Sequence, residues 1–229
     1  AAQMMNAVLL HPDRLGEPVS LTINFAAALA HGPFTVQARA ARTNRSTQHW
    51  MLEVLQGGET VLTGTAFTAL RRETWSVDEE AMPKVAPPDQ VPHGQGPMPM
   101  EWVKRYDMRP VSGGMPTVWD GQGDHSLTQL WERDNPPRPL DFASHTALAD
   151  VFFPRVWLRR ATRVPVGTVS MTVYFHADSA QLAACGDGHL LAEARALNFR
   201  NGYFDHRAQL WNEAGVLLAT THQVVYYKN

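Results

Sequence analysis

Two ten-residue stretches, "PVSLTINFAA" at residues 18–27 and "TVSMTVYFHA" at residues 168–177, alternate polar and apolar residues as a half-buried strand does. They are also alike. Val19/Val169, Ser20/Ser170, Thr22/Thr172, Phe25/Phe175 and Ala27/Ala177 are identical at an offset of 150. Each is followed by further strand-like runs in the same order. The first half continues with "FTVQARAAR", "QHWMLEVLQ" and "TVLTGTAFTAL", the last two joined by a hairpin at "GGE". The second half continues with "HLLAEARAL", "YFDHRAQLW" and "VLLATTHQVVYY", around a turn at "NEAG". Here the offset drifts to about 156, as a loop insertion would make it.

A helical pattern precedes each copy: residues 1–10 in the first half and about residues 142–153 in the second. The chain opens directly in helical periodicity without a capping residue, so the start of the first unit reads as truncated. The repeat therefore predicts an α+β fold of two similar units, each a long helix wrapped by an antiparallel sheet, which is a tandem double hotdog. Residues 1–77 form the first unit and residues 101–229 the second. The Pro-rich stretch within residues 78–100, "KVAPPDQVPHGQGPMPM", reads as the linker. "WVKRYDMRPV" and "HSLTQLWER" then supply leading strands to the second unit.

Inside the second helical pattern, "HTALADVFFPRVW", Asp150 interrupts an apolar run. Burying a carboxylate costs about several kcal/mol unless it is paired or protonated, so Asp150 lies on a solvent face, caps an element, or is a catalytic base.

Composition narrows the classes. The chain has 229 residues, 44% hydrophobic and 18% charged, enough for a sizeable core. A net charge of −2 argues against nucleic acid or an anionic membrane as the main partner. One cysteine, Cys185, excludes an intrachain disulfide framework and a thiolate zinc site, and a reduced, cytoplasmic setting is expected. There is no G-x-S-x-G elbow, no H-E-x-x-H helix and no phosphate- or dinucleotide-binding glycine pattern, so no metal or cofactor is expected.

Several stretches together, "SLTINF", the block from "ARAARTNRST" to "VLQGGETVLTGTAF", "DMRPV", "TQLWER", "ALAD", "TVSMTVYFH" and "EAGVLLATTHQ", resemble the double-hotdog, thioesterase-like proteins related to type II acyl-CoA thioesterases. The resemblance spans nearly the whole chain. It implies hydrolysis of a fatty acyl-CoA by a water held between an aspartate, a threonine and a glutamine. Matched motif by motif, these are Asp150 at the end of "ALAD", Thr168 opening the strand that ends in "YFH", and Gln223 closing "GVLLATTHQ". After the threonine, where relatives of the bacterial enzyme carry Asp-His, this chain has Ser170 and Met171.

Within that implied chemistry, Asp150 accepts the proton of the water, Thr168 and Gln223 orient it, and backbone N–H groups near the start of the helix at residues 141–144 receive the oxyanion. Arg155, Arg159, Arg160 and Arg163 in "RVWLRRATR" suit the phosphates of coenzyme A, or else decorate a solvated turn. The internal repeat sets Thr168 opposite Pro18, Gln223 opposite Thr68 and Asp150 opposite Val8. One site per chain follows, in the second unit. A homodimer through exposed sheet faces is expected. The readings that compete with the hydrolase are a non-catalytic acyl-binding or scaffold protein and a hydratase on the same fold.

Overall fold

The computed structural model describes residues 1–94 and 100–228. Its centre is one antiparallel sheet of eleven strands. In chain order these are β1 (Glu17–Phe25), β2 (Thr35–Thr43), β3 (Thr47–Gln56), β4 (Glu59–Ala69), β5 (Tyr106–Ser112), β6 (Thr128–Asp134), β7 (Val166–Phe175), β8 (Leu190–Arg195), β9 (Phe199–Arg200), β10 (Tyr203–Asn212) and β11 (Leu217–Tyr227). Every strand expected from alternation is present. The β3–β4 hairpin turns through Gly57 and Gly58, whose φ values of 62° and 88° match a turn that needs two left-handed residues.

The spatial order is β2-β3-β4-β1-β7-β11-β10-β8-β6-β5, with β9 paired to β10. The repeated strands β1 and β7 lie side by side at the middle, and Thr22 faces Thr172 across the joint with their hydroxyls 3.0 Å apart. These two threonines are the same position of the repeat, so a local two-fold axis passes between them. Outward from it the order β1-β4-β3-β2 mirrors β7-β11-β10-β8, and β6 and β5 extend the second half.

Two helices, α1 (Ala2–Leu9) and α2 (Phe142–Leu148), pack against each other and, through Met4, Met5, Val8 and Leu148, against Leu21, Ile23, Met171 and Val173 of the inner sheet face. Both are two-turn helices rather than the long ones expected. In the second half the reason is local. Val151, Phe152 and Phe153 are all buried, at 2%, 8% and 7% exposure. Three consecutive side chains cannot all face one side of a helix, so the backbone extends there. A short helix α3 (Arg155–Arg160) follows, and α4 (Ser179–Ala184) is capped by Asp178.

The stretch read as a linker is, over residues 84–94, a strap on the outer face of β5, β6 and β8. Val91 packs with Trp131 and Leu191, Trp131 Nε1 donates to the Ala86 carbonyl at 2.8 Å, and Gly94 N donates to Met108 O. Residues 95–99 of that stretch lie outside the described residues. Beneath the strap sits Asp107, held by Arg109 (2.9 Å), Arg133 (3.3 Å), His189 (3.0 Å) and His93 (2.8 Å). Burial alone would raise the Asp107 pKa. The hydrogen bonds from Arg109 and His189 outweigh it and bring it down to about 2. A carboxyl whose folded pKa is depressed stabilises the fold above its unfolded value and loses that contribution as pH falls toward about 2. Asp107→Asn is expected to cost about 3 kcal/mol, since it strands two arginines around a neutral group, and urea unfolding at neutral pH measures this.

Candidate active site

The alternation of β11 sets Thr221, Gln223 and Val225 on the inner face, all buried. On β7 the same rule would send Thr168 outward, because Ser170 and Thr172 are outer-face residues and it shares their parity. A β-bulge reverses this. Ser170 pairs with Val224 but Thr168 pairs with Val225, so Val169 is the extra residue and Thr168 turns inward. β1 carries its bulge at the same place, between Pro18 and Ser20.

Asp150 follows α2 directly, with its N–H bonded to Ala147 O. Gln223 Nε2 donates to Asp150 Oδ1 at 2.8 Å. Asp150, Thr168 and Gln223 all line one cavity of about 560 Å³, whose wall also carries Phe152, Trp157 and Val225. Burial raises the Asp150 pKa above the ordinary carboxylate range, and the Gln223 hydrogen bond opposes that shift. The three residues, distant in sequence, thus reach one cavity. The N-terminus of α2 does not reach it. The donors at residues 141–144 lie at the far end of α2, where Asp141 already accepts from Ser144 N at 2.7 Å.

The arginines divide. Arg155 is 0% exposed and donates to Phe153 O, to Ser126 O at 3.1 Å and to Thr128 Oγ1 at 2.6 Å, and burial lowers its pKa to about 9. It ties α3 to the start of β6 and the residues just before it, and is out of reach of a phosphate in solvent. Arg159, Arg160 and Arg163 are exposed. Arg159 donates to Gly123 O, and Arg163 stacks 4.4 Å above the Trp119 ring.

Two residues of the cavity were not singled out from sequence. Tyr106, at the start of β5, has its pKa raised to about 12 by burial, with Asp134, Glu132 and Asp150 adding to the effect. His206, on β10, pairs in register with Gln223, is 3% exposed, packs on Phe152 and has no partner for Nε2 among the described residues. A histidine on the apolar face of "YFDHRAQLW", among Phe204, Ala208 and Leu210, was the available signal.

The paired registers also correct the internal alignment. Leu21 faces Ala66 as Met171 faces Gln223, so the counterpart of Gln223 is Ala66 rather than Thr68. The two central helices end in matching backbone bonds, Leu10 N to Asn6 O and His11 N to Val8 O against Ala149 N to His145 O and Asp150 N to Ala147 O. Asp150 therefore corresponds to His11, not Val8. Trp50 faces Ala66 as His206 faces Gln223. In the first half this Trp50 is 1% exposed, meets the His11 ring edge-on at 4.8 Å and donates to Thr68 Oγ1 at 3.2 Å. Its indole lies at the position that in the second half belongs to a cavity-lining histidine.

The sequence profile of the acyl-CoA thioesterase C-terminal domain matches residues 79–227, and that of the N-terminal domain matches residues 1–69. The chain belongs to the acyl-CoA thioesterase family. Membership makes this thioesterase a thioester hydrolase. Its fold is shared with a hotdog-fold protein of unknown function from Alicyclobacillus acidocaldarius, 46% identical over all of this chain and 85% of the other, with a TM-score of 0.95. Acyl-CoA thioesterase II TesB2 from Mycobacterium marinum is 20% identical over 99% of this chain and 86% of its own, with a TM-score of 0.75. A TesB protein of Mycobacterium avium subsp. paratuberculosis is 15% identical over 100% and 85%, with a TM-score of 0.79. At those identities the last two speak for the fold alone. No curated protein sequence matches the thioesterase. No helix among its described residues is long and apolar enough to cross a membrane.

Proposed function

We propose that this chain is a tandem double hotdog, with units at residues 1–77 and 101–229, that hydrolyses fatty acyl-CoA to free acid and coenzyme A at one site in the second unit. The observation that carries the reading is the Gln223–Asp150 hydrogen bond on the wall of a cavity that Thr168 also lines. Asp150 takes a proton from the attacking water while Thr168 and Gln223 fix the direction of attack. The water oxygen bonds to the thioester carbonyl carbon and the carbonyl oxygen becomes an oxyanion. The second N–H of the Gln223 carboxamide, not used on Asp150, is available to it. Collapse breaks the carbon–sulfur bond, and the proton held by Asp150 passes to the departing thiolate. A carboxylate held by burial above its ordinary pKa is a better base for this than a solvated one.

The nucleotide end of the substrate then meets the surface of α3. Trp157 of that helix lines the cavity, and Arg159, Arg160 and Arg163 surround its exposed end. A cytoplasmic homodimer completes the reading. Thiol release from acyl-CoAs of graded chain length tests the activity, and absence of release at every length would favour a binding protein.

The pH profile tests the base. The active form is the carboxylate, so rate falls as pH drops through the Asp150 pKa, and the acid limb is expected above the ordinary carboxylate range. Gln223→Ala removes one of the interactions that oppose this rise and is expected to shift the limb to still higher pH. A limb unmoved by that substitution would detach Gln223 from Asp150 in the reaction.

A further inference from the structure

The cavity touches two separate parts of the fold. On one side its wall is Trp157 of α3, the helix that packs on β10. On the other it is Met100, Trp102 and Tyr106, carried by the 3₁₀ turn Glu101–Arg105 and its flanks at the start of β5, the edge strand three places beyond β10 in the sheet. A thioester held at Asp150, Thr168 and Gln223 sends coenzyme A towards one of these sides and its acyl chain towards the other.

Charge separates the two. Arg159, Arg160 and Arg163 gather around the exposed end of α3. On the other side the two cations of the turn, Lys104 and Arg105, are set against Glu101, paired with Lys104 at 2.8 Å, and Asp134, which faces Tyr106 across the β5–β6 pair. The Tyr106 phenol is uncharged as well, its pKa raised to about 12 chiefly by burial. Phosphates are drawn to the arginines, and the balanced, aromatic side is left for hydrocarbon.

Trp102 is the outer limit of that side. It lines the cavity, yet 40% of it is exposed, so part of the indole meets the cavity and part meets solvent. The turn that carries it has no buried residue, and the indole rests edge-on against the Tyr106 ring at 6.2 Å. A large apolar ring in that position adds little to the core. It serves as a wall.

We propose that the acyl chain runs towards Met100, Trp102 and Tyr106, and that Trp102 is a specificity-determining residue that ends this arm and sets the longest straight acyl chain the site accepts. The proposal rests on the hydrolase reading above. The preferred substrates are acyl-CoAs whose chain stops short of the indole. A chain one methylene too long meets the ring, and a methylene in an apolar pocket changes discrimination by roughly 10–200-fold.

The test is kcat/KM for thiol release along a series of straight-chain acyl-CoAs. In the wild type it is expected to rise with length and then fall where the arm is full. Trp102→Ala is expected to move the falling limb to longer chains, raising kcat/KM of the first excluded length at least about tenfold relative to a length the wild type accepts. Trp102→Phe, with a smaller ring, should move the limb less. A limb that stays in place, a wild type without one, or a uniform fall across all lengths overturns the proposal, and thermal unfolding of each variant shows whether a uniform fall comes from the fold. Coenzyme A alone, titrated by calorimetry, separates the two sides. Trp102→Ala should bind it as the wild type does, and a loss of affinity would put Trp102 on the nucleotide path and overturn the assignment. Non-hydrolysable thioether analogues of the same lengths read the limit without turnover. Absence of thiol release with a binding limit that still moves in Trp102→Ala would overturn the hydrolase reading while leaving Trp102 its role, and absence of both release and limit would overturn the two together.

Discussion

Asp150→Asn is expected to reduce thiol release by on the order of 10²–10⁴-fold, the range that a positioned general base contributes. The substitution is nearly isosteric, and its carbonyl oxygen can still accept from Gln223 Nε2, now 2.8 Å from Asp150 Oδ1. The fold, the cavity and the approach of substrate are therefore expected to survive, with the loss in kcat rather than KM. Single-turnover thiol release together with thermal unfolding separates these outcomes. Unchanged turnover would remove Asp150 from the reaction. A matching collapse in unfolding temperature would reassign it to the packing of the segment that follows α2.

The second large effect falls in the half without the candidate site. Trp50→Ala is expected to cost about 3–5 kcal/mol of stability, the range for removing a large buried ring. The indole is 1% exposed, supports His11 edge-on and satisfies Thr68. Trp50→Phe keeps most of the buried surface and strands the Thr68 hydroxyl, so its cost should be nearer 1 kcal/mol. Denaturant unfolding of both variants reads the two contributions. Equal costs would mean that the hydrogen bond, not the volume, dominates this corner of the core.

How much of this was legible in the sequence depended on range. Strand alternation and the 150-residue repeat predicted the sheet, and the joint between Thr22 and Thr172 lies where the two copies match position for position. What failed involved counting across loops. The drift in offset put Gln223 opposite Thr68, whereas strand pairing puts it opposite Ala66, and the bulge that turns Thr168 inward has no signature in the one-letter code. The length of α2 was overestimated because Val151, Phe152 and Phe153 continue an apolar run; that all three are buried in an extended segment is a tertiary fact. Arg155 could not be told from its neighbours, since only the fold reveals that its guanidinium lies beneath the surface. His206 became visible once Gln223 was seen across from it.

The joint at Thr22 and Thr172 has a genetic consequence. When a single unit associates with an identical copy of itself, every codon change is expressed on both sides of the axis, and a tryptophan that fills one pocket fills both. With both units encoded in one chain, each half accumulates its own changes while sharing one sheet. Trp50 and His206 record that freedom: one gene can dedicate one half to rigidity and leave the other open to a ligand.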